Sequence, residues 1–133
     1  MRRPSLSGLK RKLDKVFSEY TRRRFADENG YVACVSCGVV KHWKEMQAGH
    51  FVTRRRLATR WDVENTAPQC GKCNVLLRGN PAGYAKWLVN RYGQSIFADL
   101  VQRSHKPVKF TRADINQMAT ACAARLKSLG RSA

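Results

Sequence analysis

Two Cys-x-x-Cys pairs constrain the fold of this chain more than any other feature. Cys34 and Cys37 form the first pair, and Cys70 and Cys73 form the second. Two thiolates on one tight turn reach a single ion, and a second such turn completes a tetrahedral shell. A redox dithiol would need only one pair. We therefore predict a structural Zn²⁺ site, and any catalysis must use other residues because four cysteines leave no open position for substrate.

The charge of the chain indicates a polyanionic partner. Lys and Arg number 26 against 9 Asp and Glu in 133 residues, which gives a formal charge of +17. So large an excess favours nucleic acid. A basic protein at a membrane surface would share this charge, but the sequence has no apolar run of spanning length and no signal-peptide core after Met1. We therefore expect a cytoplasmic, nucleic-acid-associated protein without a membrane partner.

The pattern along the chain predicts one α+β domain in three parts. Residues 1–29 carry a basic amphipathic helix that ends at the "DENGY" turn. Residues 30–80 form a small zinc-stapled core, in which "KEMQAGHF" and "NTAPQC" predict short strands joined by a long basic loop, and residues 71–78 predict a short helix. Residues 81–133 form a helical C-terminal part.

The C-terminal part has clear helix boundaries. The segment "NPAGYAKWLVNRYG" begins with a proline and ends on a glycine, and "QSIFADLVQRS" predicts a second short helix. Thr111 and Asp114 predict an acidic capping box for a third helix that ends near Gly130. Cys122 lies on the apolar stripe of this helix, so we predict that it is buried and binds no metal.

The segment between the cysteine pairs resembles the ββα-metal fold of the HNH nucleases. In that family a His ends the first strand, an Asn precedes the second strand, and a His or Asn on the following helix binds a divalent metal. His50, Asn65 and Asn74 stand in these positions, with spacings of fifteen and nine residues. An Asn directly follows "CGKC", and in this respect the segment resembles the zinc-stapled version of the pattern, in which the three residues are His, Asn and Asn.

The resemblance extends beyond this core. The order of basic helix, "CVSCG", "AGHF", "PQCGKCN", "RGN" and helical tail is similar to the phage NinG recombination family, also called Rap. It covers the chain from about residue 10 to the C-terminus. The family implies a phage or prophage origin and an endonuclease acting on branched DNA such as Holliday junctions and D-loops, with 5′-phosphate and 3′-hydroxyl products.

The resemblance assigns a role to each of these residues. His50 would be the general base, held in one tautomer by a backbone carbonyl of the crossing loop. Asn65 would anchor that loop, and Asn74 would place a carbonyl oxygen on Mg²⁺ or Mn²⁺. The sequence departs from the family at two frequent ligand positions, where it has Gly49 and Arg78. Further ligands would be phosphate oxygens, water or a residue nearby in sequence, none of which has a spacing argument behind it. These residues are Glu45, Gln47, Asp62, Glu64 and Asn80, of which Asn80 is slightly preferred.

Basic residues in the N-terminal helix and the long loop predict contacts to DNA phosphates. The predicted set is Lys10, Lys12, Arg22, Arg23, Arg24, Arg54, Arg55, Arg56, Arg60 and Arg78. Trp61 either stacks on an unpaired base or fills the core beneath the loop, and we favour the core. His42 and His105 lack comparable context and are predicted to lie on the surface.

Three functions follow from these features. The leading hypothesis is a structure-selective, metal-dependent DNA endonuclease. The second is a non-catalytic zinc-ribbon module that binds nucleic acid, and the third is a basic RNA-associated protein. Because a four-way junction has two-fold symmetry, paired cuts would suit a homodimer.

Overall fold

The protein has a mixed α+β fold. The computed structural model describes residues 3–129. The predicted end of the last helix at Gly130 therefore lies outside the described residues. The helices are α1 (Leu6–Arg23), α2 (Leu57–Arg60), α3 (Pro81–Tyr92), α4 (Ile96–Ser104) and α5 (Arg112–Leu129).

The basic N-terminal segment forms α1, as its periodicity predicts. Ser5 caps the helix, since its hydroxyl accepts a hydrogen bond from the Gly8 backbone N–H at 3.0 Å. Leu9, Leu13 and Phe17 recur on one face and are buried. The apolar stripe therefore attaches α1 to the rest of the fold, and its other faces carry the basic side chains.

Two antiparallel hairpins make up the β structure. The first pairs β1 (Tyr31–Ala33) with β2 (Val40–His42), and the second pairs β3 (Gln47–His50) with β4 (Thr66–Gln69). In the second hairpin His50 lies opposite Thr66.

The sequence predicted only part of this arrangement. The β3–β4 hairpin lies within the two predicted strands, but "KEMQAGHF" begins with a single 3₁₀ turn at Trp43–Glu45 instead of a strand. The β1–β2 hairpin was not predicted, because three-residue strands are too short to show a period of two.

The predicted short helix after the second cysteine pair is a single π-helical turn, Lys72–Leu76. It is followed by three residues with positive φ, namely Arg78 (50°), Gly79 (90°) and Asn80 (40°). Only the glycine adopts this region without steric cost. This tight reversal follows the π turn, and α3 begins at the next residue, Pro81.

The C-terminal helices follow their predicted boundaries. At the start of α5, the Thr111 backbone N–H donates to the Asp114 carboxylate at 2.8 Å, and the Asp114 N–H donates to the Thr111 hydroxyl at 3.1 Å. These reciprocal bonds are the predicted capping box. Cys122 is buried on this helix, as predicted.

Three apolar clusters hold the elements together. The first surrounds the cysteines and contains Val32, Cys34, Met46, Cys70 and Cys73. The second packs α3 and α4 against β4 and contains Ala67, Tyr84, Leu88, Ile96 and Leu100. The third joins α1 to α5 through Leu9, Leu13 and Ile115. Within residues 3–129, no helix combines the length and apolar character needed to cross a membrane.

Candidate functional site

The two cysteine pairs meet in one cluster. The sulfur atoms of Cys34, Cys37, Cys70 and Cys73 all lie within 4.8 Å of one another, and Cys37 Sγ is 3.7 Å from Cys70 Sγ. The first pair lies in the turn between β1 and β2, and the second flanks the start of the π turn. One ion at this point would join the hairpin to the segment that follows β4.

The geometry of this cluster suits zinc. A tetrahedron with Zn–S bonds of 2.3 Å has sulfur–sulfur distances of about 3.8 Å, close to the Cys37–Cys70 distance. Burial alone would raise the pKa of the Cys34 thiol, but backbone hydrogen bonds from Cys70, Cys37 and Ser36 lower that pKa to about 7. These bonds favour the Cys34 thiolate, which is the form that binds metal. Burial in contrast raises the pKa of the Cys73 thiol to about 12, so deprotonation there would accompany binding of the ion. The four cysteines can hold one zinc ion in a closed shell.

His50 lies at the end of β3 with its ring held by the loop that crosses the hairpin. Its Nε2 is 2.8 Å from the backbone carbonyl oxygen of Arg60. A carbonyl only accepts hydrogen bonds, so Nε2 carries the proton and the neutral ring presents Nδ1 as an acceptor. No residue of the range 3–129 hydrogen-bonds to Nδ1. This is the tautomeric restraint that the sequence predicted for a base.

The surroundings of His50 favour its neutral form. Burial lowers the pKa of His50 below its ordinary value, and the positive charges of Arg54 and Arg60 act in the same direction. The Arg60 carbonyl and the Asp14 carboxylate oppose this change without reversing it. These surroundings favour the unprotonated ring, which is the form that can accept a proton.

Asn65 ties both ends of the crossing loop together from a fully buried position. Its Oδ1 accepts from the Val52 N–H at 2.8 Å, and its Nδ2 donates to the carbonyl oxygens of Val52 and Thr59, both at 3.0 Å. Thr59 immediately precedes Arg60, whose carbonyl holds His50. The contacts of Asn65 thus match the loop-anchoring role predicted for it.

We expect Asn65→Ala to destabilise the protein by about 2–4 kcal/mol, since it removes the three hydrogen bonds of a fully buried side chain and leaves the Val52 N–H without its partner. The loss should appear in urea unfolding as a lower midpoint with an unchanged slope. Asn90→Ala is the matched control, because Asn90 is exposed on α3. Equal unfolding midpoints for the two variants would contradict the anchoring role.

Asn74 and His50 line the same surface cavity, which has a volume of about 360 Å³. Asn74 Nδ2 donates to Gln47 Oε1 at 2.7 Å, so β3 orients the amide. No residue within 3–129 donates to Asn74 Oδ1. An amide oxygen is a suitable ligand for a hard cation such as Mg²⁺, which also keeps several waters or takes phosphate oxygens.

The structure accounts for Gly49, one of the two positions at which the resemblance to the HNH nucleases would imply a metal ligand. A Cβ atom at this position would overlap Gln69 Oε1, and Gln69 is fully buried. Gln69 in turn donates to the Ser36 hydroxyl and the Gly79 carbonyl, each at 2.7 Å. Tyr84 donates to the Gly49 carbonyl at 2.9 Å. The space that a ligand side chain at Gly49 would need is therefore occupied by Gln69. The Gln69 side chain also links the segment of the first cysteine pair to the segment that follows the second pair.

Asn80 is not among the residues that line the cavity of His50 and Asn74. Its Nδ2 lies 3.4 Å from Cys73 Sγ, at the cysteine cluster. This hydrogen bond would stabilise a metal-bound thiolate. The structure therefore brings Asn80 to the cysteines instead of the cavity in which a catalytic metal ligand was predicted.

Asp14 is the main residue of the site that sequence reasoning missed. It reaches the cavity from α1, where its carboxylate accepts hydrogen bonds from Arg54, Arg60 and Trp61. Burial opposes its ionised form, but the hydrogen bond and charge of Arg60 together with the other contacts lower the pKa of Asp14. The sequence signal that could have identified Asp14 is an acidic residue next to the apolar stripe of an otherwise basic helix.

Several arginines predicted to contact DNA also have partners inside the fold. Arg24 donates to the carbonyl oxygens of Val63 and Thr66 at 2.6 and 3.1 Å, and Arg60 is paired with Asp14. These two guanidinium groups therefore hold loop segments, which the sequence did not indicate. The other predicted contacts range from partly exposed to exposed: Lys10, Lys12, Arg22, Arg23, Arg54, Arg55, Arg56 and Arg78.

The structure also places the residues that the sequence left open. Trp61 packs against Phe110 with ring centroids 5.6 Å apart and belongs to the core between α1 and α5, which was the favoured alternative. His105 is exposed, as predicted. His42 is only half-exposed, because its Nδ1 accepts from the Lys44 N–H at 3.2 Å and its ring packs beside Trp43.

Comparison with known proteins places the chain in a family. The family model described as "Bacteriophage Lambda NinG protein" matches residues 4–132. Two curated relatives, both called "Protein ninG", come from Escherichia phage 933W and Enterobacteria phage VT2-Sa. Each is 30% identical over 100 residues, which cover 74% of this chain and 49% of the relative. The chain thus spans about half the length of the curated relatives it matches.

No solved structure matches this chain. The family model, in contrast, extends over all but a few terminal residues. The chain belongs to the bacteriophage lambda NinG family.

Proposed function

We propose that this protein is a structure-selective DNA endonuclease that hydrolyses phosphodiester bonds in branched recombination intermediates, such as Holliday junctions and D-loops. The observation that carries the proposal is the state of His50. Its Nε2 is held by the Arg60 carbonyl, which leaves Nδ1 as the acceptor of the neutral ring, and His50 lines a cavity together with Asn74. This is the arrangement that a general base requires.

The local topology supports an HNH-like core. The β3–β4 hairpin carries His50 at the end of its first strand and Asn65 just before its second strand. The following π turn carries Asn74, and the cysteine cluster joins the ends of this unit. A short helix of one turn in place of a longer one is sufficient to present a single amide at the cavity.

The chemistry assigned to His50 is proton transfer from water. The attacking water would lie against Nδ1, which accepts its proton while Nε2–H remains on the Arg60 carbonyl. The low pKa of His50 keeps the ring available as a base at neutral pH. Arg54 also lines the cavity and is exposed, so its guanidinium would hold a phosphate oxygen of the scissile group.

A divalent ion fits this cavity only in part. Asn74 supplies an amide oxygen, whereas the carboxylate of Asp14 is already occupied by arginines. Mg²⁺ or Mn²⁺ would therefore be held by Asn74, by phosphate oxygens of the DNA and by water. When bound, the ion would neutralise charge on the scissile phosphate and the leaving oxygen.

The charge distribution supports DNA as the substrate. The formal charge is +17, and Arg55 and Arg56 lie exposed in the loop that follows His50. Contacts to phosphates carry no information about the base sequence, so this surface favours recognition of the branched shape of the DNA. We further propose action as a homodimer on the two-fold symmetric four-way junction, in the cytoplasm of the bacterial host.

Cleavage of a four-way junction tests the proposal. Zinc-loaded protein is incubated with the junction or with a linear duplex of equal length, with and without added Mg²⁺, and zinc content is measured after each reaction. Cuts near the branch that require Mg²⁺ would support the proposal. Binding without cutting under Mg²⁺ and Mn²⁺ would instead indicate a zinc-ribbon binding module, and preferential binding of structured RNA would indicate an RNA-associated protein.

Asn74→Ala should raise the Mg²⁺ concentration required for half-maximal cleavage by about tenfold, because it removes the one protein ligand that we assign to the ion. Turnover at saturating Mg²⁺ should fall less than this. Asn90→Ala, which changes an exposed asparagine on α3, is the matched control. An unchanged Mg²⁺ requirement in Asn74→Ala would contradict the assignment of this residue to the metal.

A further inference from the structure

We propose that Asp14 of α1 is a positioning residue for His50, acting through Arg60. This inference rests on the proposed function, since it concerns the same base. It also assigns to the N-terminal helix a part in the active site that is separate from contact with DNA.

The contacts form a continuous path from Asp14 to the ring. Arg60 Nε donates to Asp14 Oδ1 at 3.0 Å, and Arg60 Nη2 donates to Asp14 Oδ2. The pairing is bidentate, which fixes the orientation of the guanidinium plane as well as its distance. The backbone carbonyl oxygen of the same Arg60 accepts a hydrogen bond from the Nε2–H of His50. A shift of Arg60 therefore moves the group that fixes the tautomer.

Three consecutive residues of the loop are held from two sides. Asn65 holds the Thr59 carbonyl, and Asp14 holds the side chains of Arg60 and Trp61, the latter through Trp61 Nε1 at 3.0 Å. Asn65 restrains the first residue of this tripeptide, and the backbone N–H groups of Trp61 and Asp62 also donate to the Thr59 carbonyl. Asp14 adds a restraint on the side chains of Arg60 and Trp61.

The partial burial of the pair makes the restraint firm. The side chains of Arg60 and Asp14 are 16% and 24% exposed. Arg54, at 58% exposure, joins the same carboxylate from the solvent side at 2.8 Å. Loss of Asp14 would leave two adjacent guanidinium groups without their shared acceptor, and their repulsion would displace the loop.

The tests use Asp14→Asn, which keeps the shape of the side chain and removes its charge. The first readout is the ¹⁵N spectrum of the His50 ring in the full-length, zinc-loaded protein. In the wild type we expect a single neutral form with the proton on Nε2, and in Asp14→Asn a mixture of both tautomers. Glu19→Gln is the matched control, since Glu19 lies on the same helix and pairs with Arg23 at 2.9 Å. It should keep the wild-type ring spectrum.

The second readout is junction cleavage as a function of pH. Asp14→Asn should lower kcat by about ten- to a hundredfold with KM nearly unchanged, because a misplaced general base slows the chemical step. The charged groups near His50 are Asp14, Arg54 and Arg60. Since Asp14 alone among them favours the protonated ring, its loss should move the inflection of the pH–rate profile to lower pH. This displacement reports the lost charge of Asp14, whereas a fall in kcat together with a mixture of ring tautomers reports the lost positioning of His50.

A second variant guards against misfolding. Arg60→Gln breaks the same pair from the other side, and the double variant Asp14→Asn/Arg60→Gln should be no worse than the poorer single variant. The proposal is overturned if Asp14→Asn keeps the single Nε2–H tautomer, or if the two substitutions reduce kcat additively. If the wild type cleaves no DNA, the nuclease assignment fails, and the ring spectra still decide whether Asp14 positions His50.

Discussion

Removal of zinc from the four-cysteine cluster should unfold the two hairpins and lower the melting temperature sharply. The first apolar cluster has five buried members, of which Cys34, Cys70 and Cys73 are themselves cysteines. Little other apolar surface joins β1 and β2, each of three residues, to the π turn. Binding of structural zinc contributes on the order of 10–16 kcal/mol, whereas the whole stability of a small domain is about 5–15 kcal/mol. The contribution of the ion is therefore as large as the whole stability of a small domain, and we expect its loss to unfold this part of the fold.

The measurement is a thermal melt followed by circular dichroism, with zinc content determined on the same sample. Cys73→Ser should reproduce the effect of chelation, since Cys73 is fully buried. Cys122→Ser is the matched control, because Cys122 is buried on α5 outside the cluster and should leave zinc content intact. An unchanged melting temperature after complete loss of zinc would refute the structural role of the ion.

His50→Ala should reduce the turnover of junction cleavage by about two to four orders of magnitude, because it removes proton transfer in the transition state. Zinc content and junction affinity should stay near wild type. Stability should fall by only about 1 kcal/mol, the typical contribution of the hydrogen bond to the Arg60 carbonyl. Cleavage is measured under single-turnover conditions, so that product release does not mask the chemical step.

Two further variants make this result specific. His50→Gln can still donate a hydrogen bond to the Arg60 carbonyl but has no basic nitrogen, so it should be as inactive as His50→Ala. His105→Ala, which changes an exposed histidine after α4, should cleave at the wild-type rate. Full activity in His50→Ala would show that the residue is structural.

The sequence predicted those parts of the site that depend on short, fixed spacings. Two Cys-x-x-Cys pairs indicated a shared cluster, and the structure brings all four sulfurs together. The position of Asn65 before β4 indicated a loop anchor, and its three hydrogen bonds are made to that loop. The helix limits followed from capping residues, because these act locally.

The remaining parts depend on contacts between distant segments. Asp14 lies 46 residues from Arg60 in sequence, and no local pattern relates a helical carboxylate to a loop arginine. For the same reason Arg24 was predicted to bind phosphate, although its guanidinium lies against the Val63 and Thr66 carbonyls. Charge counted along a sequence does not show which cations the fold itself uses.

The single-turnover rate of junction cleavage measured against pH at saturating Mg²⁺ tests the central claim most directly. A base acts in its neutral form, so the rate should rise with pH and level off above the pKa of His50. Because burial and the neighbouring arginines lower that pKa, the midpoint should lie below the ordinary value for imidazole. His50→Ala should lack this inflection. A wild-type rate independent of pH through this range, or the same inflection in His50→Ala, would contradict the account.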